Sequence, residues 1–271
     1  MSRNIAITLA YDGTNFVGWQ IQPNGVSVQS VVEAAIEQLT QVKTSVLSAG
    51  RTDSGVHAIG QVANFRTEST IPLDRLPRAL QNFLPDDIVV RNAFEVPFEF
   101  HATHSAKKKR YRYVIFNQST STPFLRDYAY RHKSPLDVDA MHDAAQALIG
   151  MHDFRCFESH YPNTATSIRT ISEISVSRHS TWPFATGLEN TPISPTSTLA
   201  DGEFVWFDVV ADGFLYNMVR AIVGTLIHVG RGRWTRDDIA RIVQQQDRAH
   251  AGETAPAHGL YLVKVDYGDE I

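Results

Sequence analysis

The sequence is short of cysteine, of long apolar runs and of net charge, and each shortage narrows what the chain can do. One cysteine, Cys156, in 271 residues leaves no disulfide framework and no cysteine-based metal centre. The most apolar helical stretch, Phe214 to Gly230, is interrupted by Asn217, Arg220 and His228, which makes a poor membrane span. No basic and apolar leader with a small-residue cleavage site opens the chain. Together with the lone thiol, this predicts an unexported protein of the reducing cytoplasm. The net charge of −4 does not announce a nucleic-acid binder, but a net value hides its distribution. At 43% hydrophobic and 20% charged residues, the chain can fill the core of one large domain or two ordinary ones.

The charge is unevenly spread. Between His101 and Lys133 stand eight basic residues, Lys107, Lys108, Lys109, Arg110, Arg112, Arg126, Arg131 and Lys133, against Asp127 alone. Tyr111, Tyr113, Phe116, Phe124, Tyr128 and Tyr130 interleave with them. Basic groups suit phosphates and aromatic faces suit unstacked bases, so the cluster has the composition of a single-strand or loop RNA site. A solvated strand face with ordinary core aromatics accounts for each residue singly, but less well for all of them together.

Periodicity predicts alternating strands and helices. Strands are expected near Ile5 to Leu9, Val42 to Leu47, Gln61 to Arg66, Asp87 to Val96, Lys107 to Phe116, Ile168 to Val176, Glu203 to Val210 and Gly259 to Val265. Helices are expected over Val28 to Leu39, Pro72 to Phe83, Val138 to Ile149, Phe214 to Val229 and Arg236 to Gln245. In the strand at Lys107, Arg110 and Arg112 alternate with Tyr111 and Tyr113, placing charges and rings on opposite faces. Phe204, Trp206 and Asp208 share a face of their strand. Ser177 to Gly202, rich in Thr, Ser, Pro and Gly, reads as a loop insertion. Two similar halves of mixed strands and helices predict two α+β domains, 1–105 and 106–271.

Two places carry candidate chemistry. In Ala49-Gly50-Arg51-Thr52-Asp53-Ser54-Gly55-Val56-His57-Ala58, a carboxylate stands between two glycines. The stretch is either a plain turn, with Asp53 bonded to its own backbone, or a tight loop that displays Asp53. Arg220 lies in a helix apolar almost all round, where a guanidinium needs a carboxylate or several carbonyls. Its partner is either Asp208 or Asp212, in a structural ion pair, or Asp53 across a cleft between the halves, which keeps that carboxylate ionised.

These stretches fall into a family pattern. Tyr11-Asp12-Gly13-Thr14-Asn15-Phe16-Val17-Gly18-Trp19-Gln20, Gly50 to Ala58, Lys109-Arg110-Tyr111-Arg112-Tyr113 and Gly150-Met151-His152-Asp153-Phe154 resemble blocks of the tRNA pseudouridine synthase A family. So do Phe214-Leu215-Tyr216-Asn217-Met218-Val219-Arg220, Val229-Gly230-Arg231-Gly232 and Thr254-Ala255-Pro256-Ala257-His258-Gly259-Leu260-Tyr261-Leu262. The seven blocks follow the family's order over nearly the whole chain. The departures are Ser54 where alanine is usual, Tyr216-Asn217 where paired histidines are common, His258 where arginine is usual, and the long Ser177 to Gly202 stretch.

The resemblance implies a cofactor-free and metal-free isomerisation of uridine to pseudouridine at positions 38, 39 and 40 of the tRNA anticodon stem-loop. It implies Asp53 as the catalytic aspartate, Tyr111 as the tyrosine packed on the target base and Arg220 as the arginine paired with the aspartate. Arg51 matches the arginine that fills the place of the extruded nucleotide. Lys107, Arg110 and Arg112, with Arg126, Arg131, Arg231 and Arg233, are candidates for phosphate contacts. The implied fold is two ferredoxin-like (RRM-like) α+β domains whose antiparallel sheets meet around a basic cleft. The implied assembly is a homodimer, each tRNA touching both protomers. Three rivals stand beside this reading: the same chemistry on other tRNA or RNA uridines, a non-catalytic RNA-binding or tRNA-folding protein, and a hydrolase using Asp53 with His57. His101 and His104, three apart without further ligands, read as surface or packing residues.

Overall fold

The computed structural model describes residues 2–159, 166–182, 184 and 203–268. The chain divides into two compact units, Met1–Lys108 with Tyr261–Ile271, and Lys109–Leu260. Both mix helices and strands, and among the described residues no helix is long and apolar enough to cross a membrane.

The first unit runs β1 (Arg3–Tyr11), α1 (Val28–Thr40), β2 (Leu47–Ser48), β3 (His57–Thr67), α2 (Leu76–Gln81) and β4 (Ile88–Val96). β1 is central, antiparallel to β3 through Ile5↔Phe65 and Ile7↔Ala63 and to β4 through Asn4↔Val96. β2 adds to β3 through Leu47↔Asn64, giving the order β4-β1-β3-β2. The closing strand, β10 (Leu260–Asp266), returns to this unit and pairs parallel with β3 at Tyr261↔His57. That pairing places the C-terminal segment with the first half of the chain. α1 forms where apolar residues recur every three or four positions, and it buries Val28, Val32, Ala35 and Ile36. Ser27 and Ser30 close a reciprocal cap at its start, and Gln41, at φ 58°, ends it. Of the strand expected over Val42 to Leu47 only Leu47 lies in a strand, β2, and the helix expected from Pro72 begins only at Leu76.

The second unit runs β5 (Lys108–Phe116), β6 (Tyr130–Arg131), α3 (Val138–Ala145), β7 (Gly150–Asp153), β8 (Ile168–His179), β9 (Phe204–Ala211), α4 (Met218–Gly230) and α5 (Arg236–Gln245). β9 lies between β5 and β8, antiparallel to both, and β7 extends the sheet beyond β8. β6 pairs parallel with β5 at Ile115↔Tyr130. Every residue of β9 is buried, as befits a strand covered on both faces. α4 is buried along nearly its whole length and packs against α3 and α5. A Cβ on Gly230 would lie 2.6 Å from Met141 Sδ, so the small residue permits the approach of α3. The presumed insertion at Ser177 is in part regular structure, since β8 continues through His179. Most of the remainder, 183 and 185–202, lies outside the described residues. β6 and β7 were not expected from the sequence; each is too short to set up a periodic pattern.

Candidate active site

Asp53 sits on a loop built by contacts with the Tyr11–Gln20 segment. Residues 18 and 53 form an isolated antiparallel bridge. Trp19 N donates to Thr52 O at 3.0 Å, and Ser54 Oγ donates to Phe16 O at 3.2 Å. Two glycines permit the approach. A Cβ on Gly13 would lie 2.1 Å from Val56 O, and one on Gly18, already at φ +110°, would lie 2.5 Å from Thr52 O. Beneath the loop, Tyr11 Oη and Thr52 Oγ1 share a buried hydrogen bond of 2.8 Å, and burial pushes the tyrosine hydroxyl up to about 12. Gln61 Nε2 donates to Gly50 O at 2.7 Å. Val56 N turns back to Asp53 O at 3.1 Å, a bond to the aspartate's main chain and not to its carboxylate. The half-buried Asp53 is thus displayed by a loop held from below. Arg51, two residues earlier, is exposed.

His57 has a different task from that of an acid–base partner. It is buried, its Nδ1 accepts from Gly13 N at 3.0 Å, and its ring stacks on Tyr261 at 4.7 Å. Asp12 Oδ1 approaches the same nitrogen at 3.2 Å. The imidazole therefore fastens the turn after β1 to the start of β3.

In the second unit, β5 separates its charges from its rings as the alternation requires. On one face Arg112, 1% exposed, donates through Nε to both carboxylate oxygens of Asp208, at 3.2 and 3.1 Å. Arg110 Nε reaches Asp208 Oδ1 at 3.1 Å. The Arg112 guanidinium also lies 4.3 Å over the Trp206 ring, while its Nη1 is buried without an acceptor. Burial pulls the Arg112 pKa below the usual guanidinium range, against the pull of Asp208. The role expected of Arg112 as a phosphate contact needs an accessible cation, and the structure instead commits this one to a carboxylate inside the sheet. Next to this cluster His179 stacks on Trp206 at 3.5 Å, and burial lowers its pKa to about 4. The other face of β5 carries Tyr111, whose ring meets Phe214 edge-on at 5.0 Å. Tyr113 Oη donates to Pro256 O at 2.7 Å.

Arg220 lies in the first turn of α4, not midway along a longer helix, because Asn217 at φ 63° interrupts the expected start at Phe214. Arg220 Nε donates to Ala255 O at 2.7 Å and Nη1 to Asn217 Oδ1 at 2.7 Å. The two acids considered as its structural partners have other bonds: Asp208 holds Arg110 and Arg112, and Asp212 accepts from Thr170 N at 2.9 Å. Asp53 and Arg51 thus belong to the first unit, Tyr111 and Arg220 to the second. Asn217 is the residue that sequence reasoning passed over, since nothing in its spacing marks a left-handed backbone.

Among the other candidates, Lys107 and Lys108 are exposed, while burial and then Arg169 lower the Lys109 pKa. Arg126 pairs with Asp127 at 2.9 Å, and Arg131 Nη2 donates to Ser119 O. Arg231 and Arg233 are exposed beyond α4. His101 and His104 pack ring to ring at 4.3 Å. Cys156 is buried, and burial raises its thiol to about 12, a poor nucleophile. No group of three or more His, Cys, Asp or Glu among the described residues could hold a metal ion.

The family model described as tRNA pseudouridine synthase matches residues 7–105 and 144–268. The tRNA pseudouridine synthase A of Acetivibrio thermocellus is 45% identical over 265 residues, covering 98% of this chain and all of the relative. That of Anoxybacillus flavithermus is 44% identical over 266 residues, covering 98% of this chain and 99% of the relative. A solved archaeal box H/ACA sRNP Nop10-Cbf5 complex overlaps 90% of this chain and 59% of its own at 11% identity and a TM-score of 0.32, too slight a likeness to bear on the fold. With the model spanning most of the sequence and relatives matched end to end, the chain belongs to the tRNA pseudouridine synthase family.

Proposed function

We propose that this protein isomerises uridine to pseudouridine in tRNA, at positions 38, 39 and 40 of the anticodon stem-loop, without a cofactor. The observation that carries the proposal is end-to-end similarity to proteins named tRNA pseudouridine synthase A. The reaction breaks the bond from C1′ to N1, turns the base while it is held, and joins C5 to C1′. Atoms are conserved, with the C5 proton lost and a proton gained at N1. Such a step needs a carboxylate held near sugar or base, as a nucleophile or as a proton acceptor. Asp53 is our choice for that group: it stands on a loop braced by Gly13, Gly18 and the Tyr11–Thr52 bond, so little reorganisation is left for the reaction.

Tyr111 packs on the target base, and its hydroxyl serves the proton transfer from C5. Arg220 keeps Asp53 ionised, and Arg51 fills the place of the extruded nucleotide. Extrusion costs roughly a few kcal/mol, less at a loop edge. Phosphate contacts by exposed cations, Lys107 among them, offset that cost. Arg110, expected as a phosphate contact, is instead tied to Asp208. Each unit is ferredoxin-like in this reading, supported in the first by the order β4-β1-β3-β2 with α1 and α2 between its strands. The protein acts as a homodimer, with each tRNA contacting both protomers.

The test is tritium release from tRNA carrying tritium at uridine C5, with chelator present and nothing else added, followed by mapping of the modified positions. Release with pseudouridine at 38, 39 and 40 is expected. Modification elsewhere would keep the chemistry and overturn the site. Tight binding with no release from any tRNA would overturn the enzyme.

A further inference from the structure

We propose that Asn217 is a positioning residue that sets the plane of the Arg220 guanidinium, an inference that rests on the role given to Arg220 above. Asn217 occupies the residue before α4 at φ 63° and ψ 4°. This left-handed conformation is uncommon for a residue with a side chain and is tolerated best by asparagine, aspartate and histidine. Asparagine before a helix ordinarily accepts a hydrogen bond from a main-chain N–H of the first turn. Asn217 makes no such bond.

Its amide is used otherwise. Oδ1 accepts from Arg220 Nη1 at 2.7 Å, and Nδ2 donates to Ser159 Oγ at 2.7 Å. A guanidinium has donors only, so the amide oxygen must face it. Ser159 holds the other end and keeps the amide from turning. Arg220 Nε also donates to Ala255 O at 2.7 Å, and Ala255 N donates back to Arg220 O at 3.1 Å.

A planar cation gripped at Nε and Nη1 has its plane fixed, and with it the direction of its third nitrogen. Both of these grips are oxygens of neutral groups, which fix the orientation of the guanidinium. The unusual backbone of Asn217 is what points its amide along the helix towards Arg220 and not at the main chain. Backbone strain at a residue that gives up its cap belongs to function more than to stability.

The test compares tritium release, KM for tRNA and melting temperature in three variants. Asn217→Gly accepts the positive φ without strain and lacks the amide. It should keep its fold and its KM and lose about 10- to 100-fold in kcat, the value of one hydrogen bond to a charged group. Asn217→His offers a ring nitrogen that accepts from Arg220 only while neutral. Turnover should therefore recover at pH 8 and fall below about pH 6.5, an acid limb not seen in Asn217→Gly. Arg220→Lys separates the two readings. If it turns over like the wild type, the role of Arg220 itself is wrong. If it is impaired while Asn217→Gly retains wild-type kcat, or Asn217→His shows no acid limb of its own, the positioning role is wrong and that of Arg220 stands.

Discussion

Arg112 and Arg220, two arginines of one structural unit, are held in opposite ways. Arg112 is enclosed by the sheet and bound to both oxygens of Asp208, with the Trp206 ring against its flat side. Arg220 is gripped by a main-chain carbonyl and an amide oxygen. The carboxylate meets the charge that the sheet buries, whereas the carbonyl and the amide oxygen fix the plane of the guanidinium they hold. The first arrangement belongs to a sheet that must bury a cation, the second to the oriented guanidinium that the role proposed for Arg220 requires. Basic residues close in sequence can therefore belong to unrelated tasks.

The contrast breaks most readily at Asp208. Asp208→Ala leaves the buried Arg112 without its counter-charge and should lower stability by about 3–5 kcal/mol, read as a drop in the denaturation midpoint. Arg220→Lys should leave that midpoint nearly unchanged and still lose turnover, because an ammonium cannot occupy the two-point grip. Equal losses of stability in both variants would erase the distinction. Gly13→Ala tests whether the Asp53 loop is as tightly supported as described. Its new Cβ would meet Val56 O at 2.1 Å, so the turn and the loop must part. A stability loss of about 1–3 kcal/mol is expected, with turnover reduced further than stability alone explains.

The smallest effect is one of pH. Burial lowers the His179 pKa to about 4, against about 6.5 for an unfolded histidine. Between those values the unfolded chain binds a proton that the folded one refuses, so stability is full above pH 6.5 and declines as pH falls towards 4. His179→Phe, which keeps the ring on Trp206, should flatten that part of a stability-against-pH curve.

What the sequence made legible was local. The alternation of Arg110 and Arg112 with Tyr111 and Tyr113 has period two, and the strand puts them on opposite faces. The glycines flanking Asp53 marked a tight loop, and a tight loop is there. What stayed hidden depends on partners far along the chain. Arg112 looked like a phosphate contact because its counter-charge lies 96 residues away. The loop's closest support comes from Gly13 and Gly18 through contacts across the fold. Asn217 stands out in the sequence only as a polar interruption of an apolar stretch, and its backbone angle shows that the helix starts after it.

The central claim is that Asp53 carries an isomerisation of uridine in tRNA. Its most direct test measures tritium release from C5-labelled tRNA by wild type and Asp53→Asn, beside filter binding of the same tRNA to each. The account predicts release by the wild type alone, with binding retained in both. Release that survives Asp53→Asn would contradict it.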